Sequence, residues 1–311
     1  MAGFQEVASG VAFMRCGLVN VAAIGDAHRW VLLDAALPGY AYEIRDAAAD
    51  RFGAGVPPAA ILLSHGHFDH VGSIDALIDE WDAPVYAHPL ELPYLTGLSR
   101  YAPPDPLVGR GMLAIFSRLY PRGPIDLAGH VAALPPGGAV PGLDAWRWIH
   151  TPGHTPGHVS FFRDGDRTLL SADAVVTTKQ ESVVAVVTQR EELHGPPAYF
   201  TADWDSARDS VCVLAALAPE IVIAGHGRPM RGERLRDALY SLAAHFDARE
   251  RPRFGRYARH PAVADETGII ALPPDPLPRV LAGVGAALAV AGVVAAGLRA
   301  ARRRPSTRLG T

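Results

Sequence analysis

The chain has 311 residues, of which 49% are hydrophobic and 20% charged, and its formal net charge is −3 at pH 7. This composition is ordinary for a globular protein, and the length suffices for one large core or two smaller ones. Because the charge gives no broad basic field, nucleic acid is not an expected partner. Lys179 is the only lysine, and the two cysteines lie too far apart in the chain for a Cys-x-x-Cys metal site.

The first ninety residues alternate between strand-like and helical patterns. The segments GVAFMRC, LVNVAAIG and WVLLDAAL predict three strands, the third ending at Asp34. YAYEIRDAAADRFG predicts a helix that ends at Gly53, and AAILLSH predicts a buried strand. SIDALIDEW then predicts a short amphipathic helix, and APVYAH predicts another strand.

No periodicity is visible between residues 89 and 130, where aromatic residues and methionine are scattered among prolines and glycines. A long irregular insert of this kind predicts a lid or a wall of a substrate site. Tyr94, Met112 and Phe116 are therefore candidates for an apolar acyl-binding surface. A small satellite core built from the same side chains explains the pattern equally well.

A second block of strand and helix patterns follows the insert. AWRWIHTPG, HVSFFRDG, RTLLSADAVV and EIVIAGHG predict strands. DSARDSVCVLAALAP and RGERLRDALYSLAAHFDARE predict helices. The order of strands followed by a helix thus occurs twice within residues 1–250, the expected catalytic domain, and it agrees with an α/β fold without establishing one.

The C-terminal region has a different composition. Residues 251–279 are rich in proline and arginine and predict a tether. Residues 280–298 carry no charge, and this length suits a transmembrane helix. However, 11 of these 19 residues are alanine or glycine, so membrane insertion would be only marginally favourable. A helix lying in the membrane interface, or one packed on a partner, is the alternative.

The two ends of the chain bear on localisation. The segment MAGFQEVASGVAFMRC lacks a basic stretch followed by a long apolar run, so we expect no secretory signal and a cytoplasmic catalytic domain. The basic tail, residues 299–311, would prefer the cytoplasmic side of a membrane. A single span would then conflict with a cytoplasmic N-terminal domain, so the topology of the predicted membrane association stays open.

The stretch SHGHFDH at residues 64–70 places three histidines and an aspartate on one loop after a predicted strand. The spacing can direct His65 and His67 at one point, and Asp69 and His70 at another. Imidazole nitrogen and carboxylate oxygen are ligands of zinc and of similar first-row metals. Two metal ions about 3.5–4 Å apart can activate one bridging water.

Other candidate ligands also follow strand-like segments. HTPGHTPGH at residues 150–158 contains His154 and its rival His158, LLSADA ends near Asp173, and IVIAGHG presents His226. A rigid sheet holds loop ligands of this kind in place. Asp34 also follows a predicted strand, where it could orient a ligand by a hydrogen bond or cap a turn.

In this order the motifs resemble those of the metallo-β-lactamase superfamily, over about residues 4–248. The resemblance implies a four-layer αβ/βα sandwich, with two divalent metal ions at one edge between the sheets; we expect zinc, with iron or manganese possible. It implies that His65, His67 and His154 bind the first metal. Asp69, His70 and His226 would bind the second, with Asp173 bridging the two.

The reaction implied is attack of a metal-bridging hydroxide on a carbonyl group, with Asp69 shuttling a proton to the leaving group. Asp173 in place of cysteine, and His70 in place of arginine, make the pattern more similar to hydroxyacylglutathione hydrolases and acyl-homoserine lactone lactonases. We therefore expect a small acyl substrate with an ester, lactone or thioester bond. The tyrosine that the lactonases carry shortly after the bridging aspartate is missing from AVVTTK, residues 174–179.

Two other functions stay open. Related sites host iron-dependent oxidoreductases such as persulfide dioxygenases, although a full set of seven ligands favours two metals. A metal-dependent nuclease is disfavoured by the charge of the chain. Arg228 and Lys179 could bind an anionic substrate, although a solvated surface position explains each of them as well.

Overall fold

The computed structural model describes residues 3–282, which divide at Pro273 into two compact units. In the first unit, a mixed seven-stranded sheet has the strand order β1-β2-β3-β4-β5-β6-β7, and a five-stranded sheet has the order β12-β11-β10-β9-β8. A small antiparallel hairpin, β13–β14, follows. In the second unit, residues 277–282 are helical.

The bounds of the strands are β1 Gln5–Ala8, β2 Val11–Cys16, β3 Val19–Gly25, β4 Trp30–Leu33, β5 Ala60–Leu62, β6 Val85–Ala87, β7 Val131–Ala133, β8 Trp146–His150, β9 Val159–Arg163, β10 Thr168–Ala172, β11 Ile221–Ala224, β12 Met230–Arg231, β13 Val263–Asp265 and β14 Gly268–Ala271. The α-helices are α1 Ala41–Phe52, α2 Phe68–Val71, α3 Ile74–Trp81, α4 Leu92–Leu95, α5 Met112–Ile115, α6 Val183–Thr188, α7 Trp204–Ala216, α8 Gly232–Ala244 and α9 Phe246–Arg249. The strands and helices predicted for residues 11–87 and 146–249 are present, except that the helix predicted over residues 231–250 is divided at His245 into α8 and α9.

Alternation along the strands divides the apolar side chains among three cores. In β4, Trp30 and Leu32 face α1 and α3, whereas Val31 and Leu33 face the second sheet. In β10, Leu169 faces α7 and α8, whereas Leu170 faces the first sheet. Because successive strand side chains point to opposite faces, two sheets covered by helices make four layers. This is the α/β sandwich expected from the sequence.

Parallel pairing brings the ends of four strands to one edge of the sandwich. β4 pairs in parallel with β5, so Asp34 and the loop at 64–70 leave the first sheet side by side. β10 pairs in parallel with β11, so Asp173 and His226 leave the second sheet together. The carboxyl ends of adjacent parallel strands meet at the same edge, which is where ligands bind in such sheets.

The prediction of a tether from residue 251 is wrong for residues 251–273. These residues belong to the first compact unit, form the β13–β14 hairpin and bury Tyr257 and Ala258. The strands of this hairpin have only three and four residues, which is too short to give a visible sequence period.

Most of the predicted span 280–298 and the whole basic tail 299–311 lie outside the described residues. Among residues 3–282, no helix combines the length and the apolar character that crossing a membrane requires. The membrane association predicted for 280–298 therefore stays a prediction.

Candidate metal centre

The loop after β5 changes direction at His67, which immediately precedes the short helix α2. His65 and His67 precede this helix, whereas Asp69 and His70 lie on it. His65 also lies beside His70, with ring centroids 4.2 Å apart, and these two residues form a further group of candidate ligands with Asp173.

Three histidines form the first set of ligands, which we call the first triad: His65, His67 and His154. The Nε2 atom of His65 lies 3.1 Å from Nδ1 of His67, which lies 2.9 Å from Nε2 of His154. All three side chains are buried, and their ligand atoms lie within 4.8 Å of one another. This spacing suits three ligands of one metal ion.

The second triad consists of Asp69, His70 and His226, whose ligand atoms also lie within 4.8 Å of one another. The Nε2 atom of His226 is 3.5 Å from Oδ2 of Asp69. The Asp69 side chain is 16% exposed, whereas those of His70 and His226 are at most 2% exposed. Asp69 is thus the ligand of this triad that solvent or a substrate can reach.

Asp173 lies between the two triads. Its Oδ2 atom is 3.4 Å from Nε2 of His154, in the first triad, and 3.2 Å from Nε2 of His226, in the second. Its Oδ1 atom is 3.6 Å from Nε2 of His70. One carboxylate is therefore within reach of both candidate metal positions.

Buried polar atoms at this place lack hydrogen-bond partners. Nε2 of His70 and Oδ1 of Asp173 are both buried without one, which is costly unless a cation occupies the space between them. Gly225 makes that space possible, because a Cβ atom there would lie 2.1 Å from Oδ1 of Asp173 and 2.9 Å from Cε1 of His70. The residues present therefore fit a pair of metal ions.

The electrostatics of the two triads differ. Burial lowers the pKa of all three histidines of the first triad, and lowers that of His67 to about 3. These imidazoles are therefore neutral, which is the form that binds metal. Burial opposes the charged forms of His70 and Asp173 as well, but attraction to Asp173 raises the pKa of His70, and attraction to His226 and His70 lowers that of Asp173. The second triad is thus a place where positive charge is stabilised.

The remaining nitrogen atoms of several candidate ligands are held by neighbours. Nδ1 of His70 lies 2.8 Å from Oδ2 of Asp34, and Asp34 also accepts hydrogen bonds from the backbone N–H and the hydroxyl of Ser64. Nδ1 of His226 donates to the carbonyl of Leu18 at 2.7 Å. Such contacts fix the tautomer and the ring orientation of a ligand.

His158 does not join either triad. Its Nε2 atom accepts the backbone N–H of Asp173 at 3.0 Å, and its Nδ1 atom lies 2.9 Å from the hydroxyl of Thr151. Of the two histidines in this loop, His154 and not His158 is thus part of the first triad.

A carboxylate that the sequence analysis did not single out connects the two histidine loops. Glu91 is fully buried, and its Oε1 atom accepts the hydroxyl of Thr155 at 2.7 Å and the N–H of Gly157 at 2.8 Å. Its Oε2 atom accepts the N–H of Gly66 at 3.0 Å and a short hydrogen bond from the hydroxyl of Tyr101. Glu91 thus accepts hydrogen bonds from four donors, and these include the loops on both sides of the first triad.

A cavity of about 370 Å³ opens beside the first triad and is lined by His67 and His154. Tyr101 and Phe200 are also part of its wall, and their rings pack against that of His67 with centroid distances of 4.6 and 4.5 Å. The rest of the lining comes from residues 90, 102, 150, 152, 153, 155, 156, 202, 203, 206, 261–264 and 269.

None of the residues predicted to bind substrate lines this cavity. Tyr94 is 1% exposed and stacks on Tyr101, while Met112 and Phe116 are 53% and 49% exposed on the surface of the insert. Arg228 and Lys179 line two other surface clefts. The insert does supply a wall, but through Leu90, Tyr101 and Ala102. No short sequence pattern connects these positions with residues 200–206 or 261–269.

Comparison with known proteins places the chain in a family. The model of the Metallo-beta-lactamase superfamily matches residues 14–226. The probable metallo-hydrolase YflN of Bacillus subtilis is 49% identical over 245 residues, which cover 78% of this chain and 92% of YflN. The probable metallo-hydrolase YybB of the same organism is 31% identical over 170 residues, covering 55% of this chain and 64% of YybB.

Solved structures show the same fold. A metallo-beta-lactamase family protein of Thermus thermophilus matches with a TM-score of 0.55 and 21% identity, covering 78% of this chain and 81% of that one. The subclass B3 metallo-beta-lactamase BJP-1 of Bradyrhizobium japonicum matches with a TM-score of 0.54 and 19% identity, covering 79% and 92%. The chain belongs to the metallo-beta-lactamase superfamily, and it is a metal-dependent hydrolase.

Proposed function

We propose that the chain is a dinuclear hydrolase that cleaves an ester, lactone or thioester of a small acyl substrate. The position of Asp173 carries this proposal. Its carboxylate lies within 3.2–3.6 Å of ligand nitrogens of both triads, which is the arrangement expected of a ligand shared by two metals. We propose zinc as the native metal pair, because histidine and carboxylate ligands suit it.

Each triad would hold one metal ion, and the carboxylate of Asp173 would be a ligand of both ions. The bound pair supplies a water whose pKa is lowered towards neutrality and an electrophile for the carbonyl oxygen. The chain's own part is to position these groups: Asp34 orients His70, Leu18 orients His226, and Glu91 connects the loops of the first triad. Precise placement of ligands by their neighbours is what a reactive centre requires.

Asp69 is the residue that we propose for proton transfer. It is within reach of His226, and it is partly exposed whereas the neighbouring ligands are buried. A carboxylate at this place can accept the proton of the attacking water and deliver it to the leaving group.

Metal analysis and a substrate panel test the proposal together. Protein purified with zinc in the medium should contain about two equivalents of metal per chain. Asp173→Ala should lose metal, whereas Asp164→Ala, at an exposed surface carboxylate, should retain it. The loaded enzyme should hydrolyse members of a panel of thioesters, lactones and carboxylic esters.

Other results would overturn the proposal. One equivalent of iron, with oxygen consumed when a persulfide is added, would show an oxidoreductase. Cleavage of phosphodiesters alone would show a nuclease, and cleavage of β-lactams alone would show a lactamase.

A further inference from the structure

The cavity beside the first triad has a chemical character that restricts the substrate. Most of its lining is apolar, including Ala102, Phe200, Ala262, Val263 and Ile269. No lysine or arginine is among the described residues that line it. A carboxylate or phosphate in the part of this cavity away from the first triad would therefore lose its hydration without gaining an opposite charge from a side chain.

Several polar side chains of the lining outside the first triad already have partners within the protein. The Thr155 hydroxyl donates to Glu91, and Nε2 of His150 lies 2.8 Å from the carbonyl of Pro156. Asp203 accepts hydrogen bonds from the first turn of α7, including one from the hydroxyl of Ser206 at 2.7 Å. The carboxylate of Asp203 would in addition repel an anionic group. The lining thus offers apolar contact and few unsatisfied hydrogen-bond donors.

The outer wall of the cavity is the hairpin at residues 263–271, and the structure holds this hairpin in place. The backbone N–H of Ala262, just before it, donates to the carbonyl of Ala202 at 3.0 Å. The N–H of Ile269 donates to the Ser99 hydroxyl in the insert at 3.3 Å. Ala264 and Ile269 are cross-strand partners, and both line the cavity. The wall is therefore part of the catalytic unit.

From these observations we infer that the cavity binds the acyl chain of the substrate, and that this chain is apolar and uncharged. The inference rests on the proposed hydrolysis, because His67 and His154 connect the cavity to the reacting centre. A volume of about 370 Å³ lies in the range of small-molecule sites and accepts a medium-length alkyl chain or an aromatic ring. Substrates with a charged acyl group, such as dicarboxylic half-thioesters, are excluded.

Kinetics with a series of straight-chain acyl esters tests the inference. The value of kcat/KM should rise about fourfold for each added methylene until the cavity is full. An ester of equal length that ends in a carboxylate should react at least about tenfold more slowly than the neutral one. Equal rates for the neutral and the carboxylated ester, or no dependence on chain length, would overturn the inference.

A matched pair of variants tests whether this cavity causes the dependence of kcat/KM on acyl-chain length. Ala264→Phe should fill the cavity and lower kcat/KM for the longest good substrate by about tenfold or more, while leaving the acetyl ester unchanged. Ile270→Phe places the same ring one residue after Ile269, at a position that is 57% exposed and outside the lining. This variant should leave kcat/KM unchanged for both the long ester and the acetyl ester. Equal effects of the two variants would contradict the assignment of this cavity.

Binding of octanoate to the metal-loaded protein, measured by calorimetry, separates the ligand from the reaction, because octanoate and suberate share one carboxylate and differ only at the far end of the chain. Octanoate should bind more tightly than suberate, and Ala264→Phe should remove the difference. If this holds but no ester, lactone or thioester is cleaved, the proposed reaction fails and the ligand class stands. If esters are cleaved but octanoate and suberate bind alike, the reaction stands and the ligand class fails.

Discussion

Glu91 accepts a hydrogen bond of 2.8 Å from the backbone N–H of Gly157, although the two residues are 66 positions apart in the chain. Gly157 belongs to the loop that carries His154, and the other carboxylate oxygen of Glu91 accepts the N–H of Gly66, between His65 and His67. One buried carboxylate therefore fixes the distance between the two loops that form the first triad. The positions of these histidines depend on a residue that contacts none of the candidate metal positions.

Replacing Glu91 should weaken metal binding at the first triad. Glu91→Gln places an amide NH₂ against two of the four hydrogen-bond donors, so we expect a loss of about 3 kcal/mol in the free energy of unfolding. Metal affinity should fall about 10- to 100-fold. Urea unfolding and competition with a chelator measure the two effects.

Glu80→Gln is the matched control for this variant. Glu80 forms an exposed ion pair with Arg45, so its loss should cost at most about 1 kcal/mol. Similar stability and metal affinity in the two variants would contradict the role assigned to Glu91.

The close approach of Gly225 to Asp173 gives a second prediction. Gly225→Ala would place a methyl group 2.1 Å from Oδ1 of Asp173, so the carboxylate must move away from His70. The variant should lose about one equivalent of metal and most of its activity, both measured on purified protein.

Gly165→Ala is the control, because a Cβ atom there would meet no atom within 4 Å and the backbone is not in a glycine-specific conformation. Retention of both metals and of full activity in Gly225→Ala would show that the second triad tolerates a displaced Asp173.

Asp69 should be needed for turnover more than for metal binding. Asp69→Asn keeps one oxygen ligand at the same place, so much of the metal should remain, while kcat should fall by about 10²- to 10⁴-fold. Metal content and kcat are measured on the same sample, beside Asp75→Asn at an exposed position of α3. Unchanged turnover in metal-replete Asp69→Asn would contradict the proposal that Asp69 transfers the proton.

The pH dependence of stability should have a contribution from His88, which stacks on His150 at 4.2 Å. Burial, and secondarily His150, lower the pKa of His88 to about 4 in the folded state. The unfolded chain, with an ordinary histidine pKa of about 6.5, binds a proton first as the pH falls. Stability from this residue is therefore full above about pH 6.5 and is lost as the pH falls towards 4.

The free energy of unfolding at pH 7 and pH 5, measured for the wild type and for His88→Asn, checks this contribution. Asparagine can still accept the N–H of Leu90, as His88 does, so the local turn is retained. The wild type should lose more stability between the two pH values than the variant. Equal losses would show that His88 titrates normally in the folded protein.

The candidate ligands could be predicted from the sequence because each follows a strand whose apolar pattern is visible. Two of the pairs, His65 with His67 and Asp69 with His70, are also close in the chain. Parallel pairing of β10 with β11 then brings Asp173 beside His226, which local patterns alone do not specify.

The cavity could not be predicted in this way. Its wall combines Tyr101, Phe200 and the hairpin around Ala264, which are separated by about sixty to a hundred residues and share no motif. The sequence predicts a tether at the hairpin because the strands there are short and the surroundings are rich in proline and arginine. The role of Glu91 is not visible in the sequence, because a single acidic residue in an irregular insert carries no sign of burial.

The location of metal in crystals of the protein tests the central claim most directly. Anomalous scattering at the absorption edge of the bound metal should show two peaks about 3.5–4 Å apart, one in each triad, with the carboxylate of Asp173 between them. A single peak within His65, His67 and His154, with Asp69, His70 and His226 free of metal in fully active protein, would contradict the dinuclear account.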